Sequence, residues 1–403
     1  MLAESLISLI PVLALFSTRK AVVQVLGSHP SKSEYLSRID WKRFPVKIGA
    51  SGVFGLAGIG SFADAWGVDG VVLYITSLAA LRVCFIIPIS WMVKRWPEIT
   101  IHCFRWSPAL ILLGSISVYL GHLLFLPLAL SLYISFWWSH YHSVRELKGH
   151  GTESFVDTEV LASICGSIFV LVLTHVYSIQ VAAVGGGLLC ALGALIPVKV
   201  TGEELRQVLQ EWESQASLRS ATEISNGVTI ARAVGTVSFC SLSLLRIKTL
   251  DTENFFEGVW SLGITIAGCE AVVWLFLKVL RKNKGEEGPT YGGRTAMALG
   301  FAVSLLGFIL MAFNSSAMIS AGYIAISIVS RSINREVDQE FARSHLRGVD
   351  GNPATREIEK FVCWLVLTPL LLHPQMLVPA GIAGSFVLIN CNFSHPRDRK
   401  ASG

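Results

Sequence analysis

Val46–Arg95 reads VKIGASGVFGLAGIGSFADAWGVDGVVLYITSLAALRVCFIIPISWMVKR. Two apolar blocks, 46–64 and 70–93, flank a gap at 65–69 in which Asp69 is the only charge, and the pair closes on Lys94 and Arg95. Each block holds enough apolar residues to cross a hydrocarbon core about 30 Å thick as a helix. The gap between them has room only for a tight turn. The stretch therefore reads as two membrane spans that leave one face and return to it, with the basic residues on that face.

The same pattern extends over the 403-residue chain. Further blocks lie at 106–121, 123–143, 158–176, 179–198, 225–246, 257–280, 295–313, 315–337, 357–373 and 375–392. Basic residues collect in every second gap and in the tails: Arg19, Lys20, Lys32, Arg38, Lys42 and Arg43 before the first block, then Lys94, Arg95 and Arg105, then Arg145 and Lys148, then Lys199, Arg206 and Arg219. The series continues with Arg281, Lys282, Lys284 and Arg294, then Arg343, Arg347 and Arg356, and ends on Arg397, Arg399 and Lys400. The alternate gaps near 65–69, Gly121–His122, Tyr177, Asn314 and His373–Pro374 carry no Lys or Arg; Arg246 and Lys248, beside the gap at 247–256, are the exception. This is the positive-inside pattern. It gives an all-α polytopic membrane protein with twelve transmembrane helices and both termini in the cytoplasm.

Composition agrees. The chain is 52% hydrophobic and 15% charged, with mean hydropathy +0.57, whereas soluble domains carry about 25% charged residues. In lipid the apolar surplus is solvated by acyl chains. The net charge of +5 belongs to loops that face anionic headgroups, so it does not point to nucleic acid. The eight cysteines lie mostly inside apolar blocks without metal-ligand spacing and read as small packing residues. No metal and no cofactor is expected. An early apolar stretch, Leu6–Phe16, contains Pro11 and makes a helix of roughly 17 Å, so it reads as an interfacial or packed accessory helix, the alternative being a further span.

The blocks divide into six and six around the inner linker 199–224. Within it Leu205, Val208, Leu209 and Trp212 share one side of a helix, with Glu203, Glu204 and Glu211 elsewhere, as expected for a helix lying on the cytoplasmic surface. The expected organisation is a terminal segment 1–43, a six-helix bundle 44–198, the linker 199–224, a second six-helix bundle 225–392 and a tail 393–403. The halves echo each other. Spans four and ten both turn polar at their cytoplasmic ends, pass a glycine-containing loop and re-enter through acidic helix starts, Asp157 and Glu159 in one case and Glu357 and Glu359 in the other. A repeated half is the architecture of alternating-access carriers.

On these features the chain resembles the major facilitator superfamily over roughly 44–392. The resemblance rests on the spans, the amphipathic linker, the basic loops after spans two and eight, and FWWSHYHSVRELKGHGTESFVDTEVLASICGSIF between spans four and five. The family's Gly-x-x-x-Asp-Arg-x-Gly-Arg-Arg-type loop corresponds here to WMVKRWPEITIHCFRWS, which keeps Lys94, Arg95 and Arg105 but lacks the Gly and Asp pattern. KVLRKNKGEEGPTYGGR at 278–294 also lacks the Asp. The resemblance implies that spans one, four, seven and ten line a central cavity, with two, five, eight and eleven flanking it.

Ionisable residues deep in a span are costly and so mark function. Arg82 in span two and Arg232 in span seven carry guanidinium groups suited to an anionic substrate. Glu270 in span eight serves as proton carrier, or else as the ion-pair partner of Arg232. Tyr133, Trp137 and His140 share one face of span four and suit the wall of a site for an amphiphilic solute, the alternative being an interfacial aromatic belt. Tyr323 in span ten is a further substrate-binding candidate. Arg331, Asn334, Arg335 and Asp338 form a polar stripe continuing span ten, read either as a cytoplasmic gate or as a solvated helix end.

The favoured function is a secondary active transporter, not an enzyme, for a small anionic or amphiphilic solute with coupling to a proton. Partners are the solute, the proton and the bilayer, with no nucleic acid, in a monomer of a bacterial inner membrane. Two alternatives stand beside it: a transporter-like sensor or assembly partner, which the degenerate loop motif favours, and an intramembrane transferase using His140 or Asp338. The transferase lacks the HExxH, GxSxG and CxxC signatures.

Overall fold

The computed structural model describes residues 44–147, 152–195, 203, 241–243, 245–247, 255–282, 294–313, 315, 317–329, 361–362 and 364–365. The terminal segment with Leu6–Phe16, nearly all of the 199–224 linker and the 393–403 tail lie outside these residues. Among the described residues the regular structure is helical throughout.

Span one comprises Phe44–Gly52, a π-helical turn at Val53–Ala57, and the start of the helix Gly58–Arg95. That helix breaks at Trp66 and Gly67, where Gly67 takes φ 61°, a left-handed conformation that glycine adopts without the clash a Cβ would cause. The chain reverses there. The rings of Phe62 and Tyr74 lie 5.0 Å apart, the Tyr74 hydroxyl donates to the Phe54 carbonyl at 3.4 Å, and a Cβ on Gly70 would meet the Phe62 carbonyl. These pairs sit on either side of Trp66 and Gly67, as antiparallel neighbours must. Spans one and two are thus the helical hairpin expected from Val46–Arg95.

Span three is Pro97–Tyr119, span four Phe125–Leu147, span five Thr152–Val176, span six Ile179–Ala194, span eight Phe255–Lys282 and span nine Arg294–Ala312. Ala317–Val329 belongs to span ten. The turn between spans three and four uses Gly121 at φ 87°. Span six starts at Ser178, whose side chain accepts from the Val181 N–H at 3.2 Å, a helix N-cap.

Two helix starts differ from the sequence expectation: span five begins at Thr152, which puts Asp157 and Glu159 beyond its first turn, and span three begins earlier than expected. Residues 97–105 were expected to be loop, yet they are helical, and only Trp96 separates spans two and three. Pro97 stands in the first turn, where its fixed φ suits helix initiation and its missing N–H costs nothing. Glu98 in the same turn complements the helix dipole. Arg105 is consequently a helical residue, and its Nε donates to the Ala194 carbonyl at the end of span six, 3.3 Å away.

Helix contacts give a consistent order of neighbours: span two beside four, four beside three, three beside six, six beside one, and one beside five. Span five then packs on span eight. On the other side, Trp364 of span eleven donates its indole N–H to Thr76 Oγ1 of span two at 2.8 Å. Among the described residues, spans two and five thus both touch spans that follow the linker.

Close approach of these helices depends on glycine. A Cβ on Gly166 would lie 2.6 Å from the Ile48 carbonyl and 2.8 Å from the Gly52 nitrogen, so spans one and five touch backbone to backbone. The lipid-facing surface is apolar, with exposed Leu73, Ile87, Leu113 and Ile116. Exposed Trp66, Tyr119 and Tyr177 stand at one end and Trp91 and Trp96 at the other. Trp66 and Trp91 are about 37 Å apart along the helix axis at 1.5 Å per residue, which places both rings in the interfacial zones of a bilayer.

Substituting Gly166→Ala forces two backbones apart and is expected to lower unfolding stability by about 1–3 kcal/mol. Gly268, with nothing within 4 Å of its Cβ position, is the control: Gly268→Ala leaves the thermal midpoint of the purified protein in detergent unchanged or higher. Equal midpoints for the two variants would remove the close-packing explanation.

Candidate functional site

The π turn in span one is where the site begins. A π turn widens the helix by one residue and frees a backbone group locally. Here the Gly58 N–H reaches back to the Val53 carbonyl, and the Phe54 carbonyl accepts from Tyr74. A Cβ on Gly58 would lie 2.7 Å from the Tyr74 hydroxyl, so glycine at this position is what admits the phenol.

Against this turn lies Arg246 of span seven. Its guanidinium carbon is 4.9 Å from the centroid of the Phe54 ring, a cation–π arrangement. A Cβ on Gly55 would lie 3.9 Å from Arg246 Nη2. Tyr74 and Tyr323 are both close enough to interact electrostatically with the guanidinium. The residue is only 3% exposed.

Glu270 and Tyr323 complete the centre. Both are buried, and the Tyr323 hydroxyl donates to Glu270 Oε1 at 2.9 Å, joining spans eight and ten. Beside them the Cys269 thiol faces the Ser320 carbonyl at 3.9 Å. Spans one, two, seven, eight and ten thus bring Phe54, Tyr74, Arg246, Glu270 and Tyr323 around one seam between the halves.

The seam continues toward the end marked by Trp66 and Tyr177. A Cβ on Gly60 would meet Val259 at 3.4 Å, and one on Gly263 would meet Leu171 at 2.7 Å. His175 and Trp260 make an edge-to-face ring contact at 5.7 Å. Within the N-terminal half at the same end, Gln180 Nε2 donates to Asp64 Oδ2 at 3.0 Å and ties span six to span one.

The sequence-derived candidates distribute as follows. Glu270 and Tyr323 are together at the seam. Arg82 is buried in span two, two turns beyond Tyr74 and one beyond Leu78, whose carbonyl accepts from Ser131 of span four. Tyr133 and Trp137 lie within the N-terminal half, their rings 5.8 Å apart. Trp137 also packs at 5.7 Å on Phe104 of span three and lies under the buried Lys47 ammonium of span one at 5.6 Å. His140 belongs to span four by its backbone, and its side chain lies outside the described residues. Arg232, Arg331, Asn334, Arg335 and Asp338 lie outside them as well.

Sequence reasoning passed over Arg246, Phe54, Tyr74 and Lys47. Phe54 and Tyr74 are aromatic residues inside apolar blocks, and nothing local distinguishes them from core. Arg246 did leave a signal: with Lys248 it was the exception to the positive-inside pattern, and it stands at the last residue of its block.

No protein-family model matches the chain, and no curated protein matches it in sequence. Solved structures do share its fold. A POT family transporter in complex with 5-aminolevulinic acid superposes with TM-score 0.56 at 11% identity, over 88% of this chain and 94% of that one. The nucleoside transporter NupG gives 0.54 at 12% identity, over 89% and 100%. A mutant of a peptide transporter, POT, in complex with sulfate gives 0.51 at 10% identity, over 88% and 92%. At this identity the likeness is one of fold: the chain is a polytopic helical membrane protein with the architecture of these transporters.

The Glu270–Tyr323 bond is testable by a double-mutant cycle. Tyr323→Phe is expected to cost about 1–2 kcal/mol of unfolding free energy in the parent protein. In a Glu270→Leu background the same change should cost no more than about 0.5 kcal/mol. Equal costs in the two backgrounds would mean the hydroxyl and the carboxylate do not support each other.

Proposed function

We propose that this protein is a secondary active transporter that carries a small anionic or amphiphilic solute by alternating access, coupled to protons through Glu270. The observation that carries the reading is the buried carboxyl of Glu270, bonded to Tyr323 on the seam between the halves. An ionisable group at membrane depth is retained against its cost where it moves or holds charge. The fold supports the same reading, since it is shared with transporters, among them one solved with 5-aminolevulinic acid and one with sulfate.

In this reading the units 44–198 and 225–392 are the two rocking bundles and 199–224 tethers them. Arg82 and Arg232 supply positive charge to the solute path. Tyr133, Trp137, His140 and Tyr323 offer amphipathic surface to the solute. Arg331, Asn334, Arg335 and Asp338 form the gate at the cytoplasmic end. The protein works as a monomer in a bacterial inner membrane, with both termini in the cytoplasm.

The connection between spans two and three favours one second reading. A single residue, Trp96, stands between these helices, and the family's gating-loop signature is missing, as suits a transporter-like sensor or assembly partner that no longer cycles.

Proteoliposomes loaded at one pH and diluted into another separate the two. The transporter accumulates a labelled organic anion down an imposed proton gradient. Glu270→Gln reduces that accumulation at least about tenfold, a barrier change of about 1.4 kcal/mol or more, and Arg82→Ala slows entry. A sensor shows no gradient-dependent uptake of anions, amino acids, sugars or lipophilic cations.

A further inference from the structure

Arg246 raises a separate question, because nothing among the described residues compensates its charge. The side chain is 3% exposed, and its Nε is a buried donor without a hydrogen-bond acceptor. Among the described residues no carboxylate pairs with the guanidinium and no carbonyl accepts from it; its neighbours are the Phe54 ring and the phenols of Tyr74 and Tyr323. A buried cation with unmet donors is costly in a protein interior and more so at membrane depth. A cation–π stack offsets only part of that cost.

The surroundings have the features of a binding position. Phe54 and Gly55 belong to the π turn, an irregularity that recurs at functional sites. Gly55 presents no side chain to Nη2, which leaves that edge of the fork open to a small group. The guanidinium comes from span seven and the turn from span one, so the arrangement spans both halves and is remade whenever they move.

We propose that Arg246 is the anchor for the carboxylate of a small monoanionic solute with an apolar or aromatic body, seated over the π turn between Tyr74 and Tyr323. A planar fork with unmet donors matches a carboxylate in the bidentate mode. The aromatic faces of Phe54, Tyr74 and Tyr323 suit an apolar body. A single guanidinium pairs with a single carboxylate, which suits a monoanionic solute. This inference rests on the transporter reading for its purpose, although the site is defined independently of transport.

Phenylacetate and its neutral isostere phenylacetamide are the probes. A ligand that binds the folded state raises the thermal midpoint. Phenylacetate at millimolar concentration should raise the midpoint of the detergent-purified parent protein by several degrees, and phenylacetamide should not. Arg246→Gln should abolish the shift. Should Arg246→Gln fail to fold, Arg246→Lys serves: it keeps the charge, loses the fork, and should weaken phenylacetate binding about tenfold. The inference is overturned if phenylacetate fails to shift the parent, if phenylacetamide shifts it equally, or if Arg246→Lys binds phenylacetate as the parent does. Uptake of labelled phenylacetate by proteoliposomes separates the two readings. Arg246-dependent binding without uptake keeps the site and removes the transporter; uptake that is equal in the parent and Arg246→Lys keeps the transporter and removes the site.

Discussion

Helices surrounded by acyl chains gain little by hiding leucine from them, so this bundle is held by what small residues permit. At the crossing of spans one and five, Gly52 and Gly166 let the two backbones touch. Gly49 sits against Gly186 and Cys190 of span six, and Gly307 against Gly322 at the crossing of spans nine and ten. These approaches fix where span one lies, and span one carries the π turn. From that turn follow the Tyr74 bond to the Phe54 carbonyl, the seat of Arg246, and the meeting of the two halves. The polar seam is a consequence of glycine-mediated packing a few turns away.

Much of the architecture was legible because the bilayer imposes a strict code. Length of apolar run, tight uncharged turns on one side and basic gaps on the other located the hairpin of spans one and two, the turn at Gly121 and the turn at Tyr177. The helical start at Pro97 escaped this reading because hydropathy reports where lipid begins rather than where a helix begins. EITIHCFR is polar enough to leave the hydrocarbon and still helical, with proline and glutamate in its first turn.

The site was legible only in part. Glu270 announced itself, since a carboxyl in the middle of an apolar block has few bland explanations. Its partner Tyr323 was a candidate by depth alone. Arg246 was counted beside a loop because the apolar run ends there, yet residues 245–247 are helical. Its guanidinium lies over the ring of Phe54. Trp137 also contacts Phe104 and Lys47, neighbours that periodicity along one helix does not name.

Everything proposed for this protein requires the seam to part. Nitroxide labels at Tyr177→Cys and Phe313→Cys, in a background without the native cysteines, place one probe on each half at exposed positions in turns expected on the same side of the membrane. Pulsed dipolar spectroscopy should give two distance populations whose proportion shifts with pH or with an organic anion, as two-state exchange demands. A single narrow distribution, unmoved by either, would contradict a carrier and leave a rigid membrane scaffold in its place.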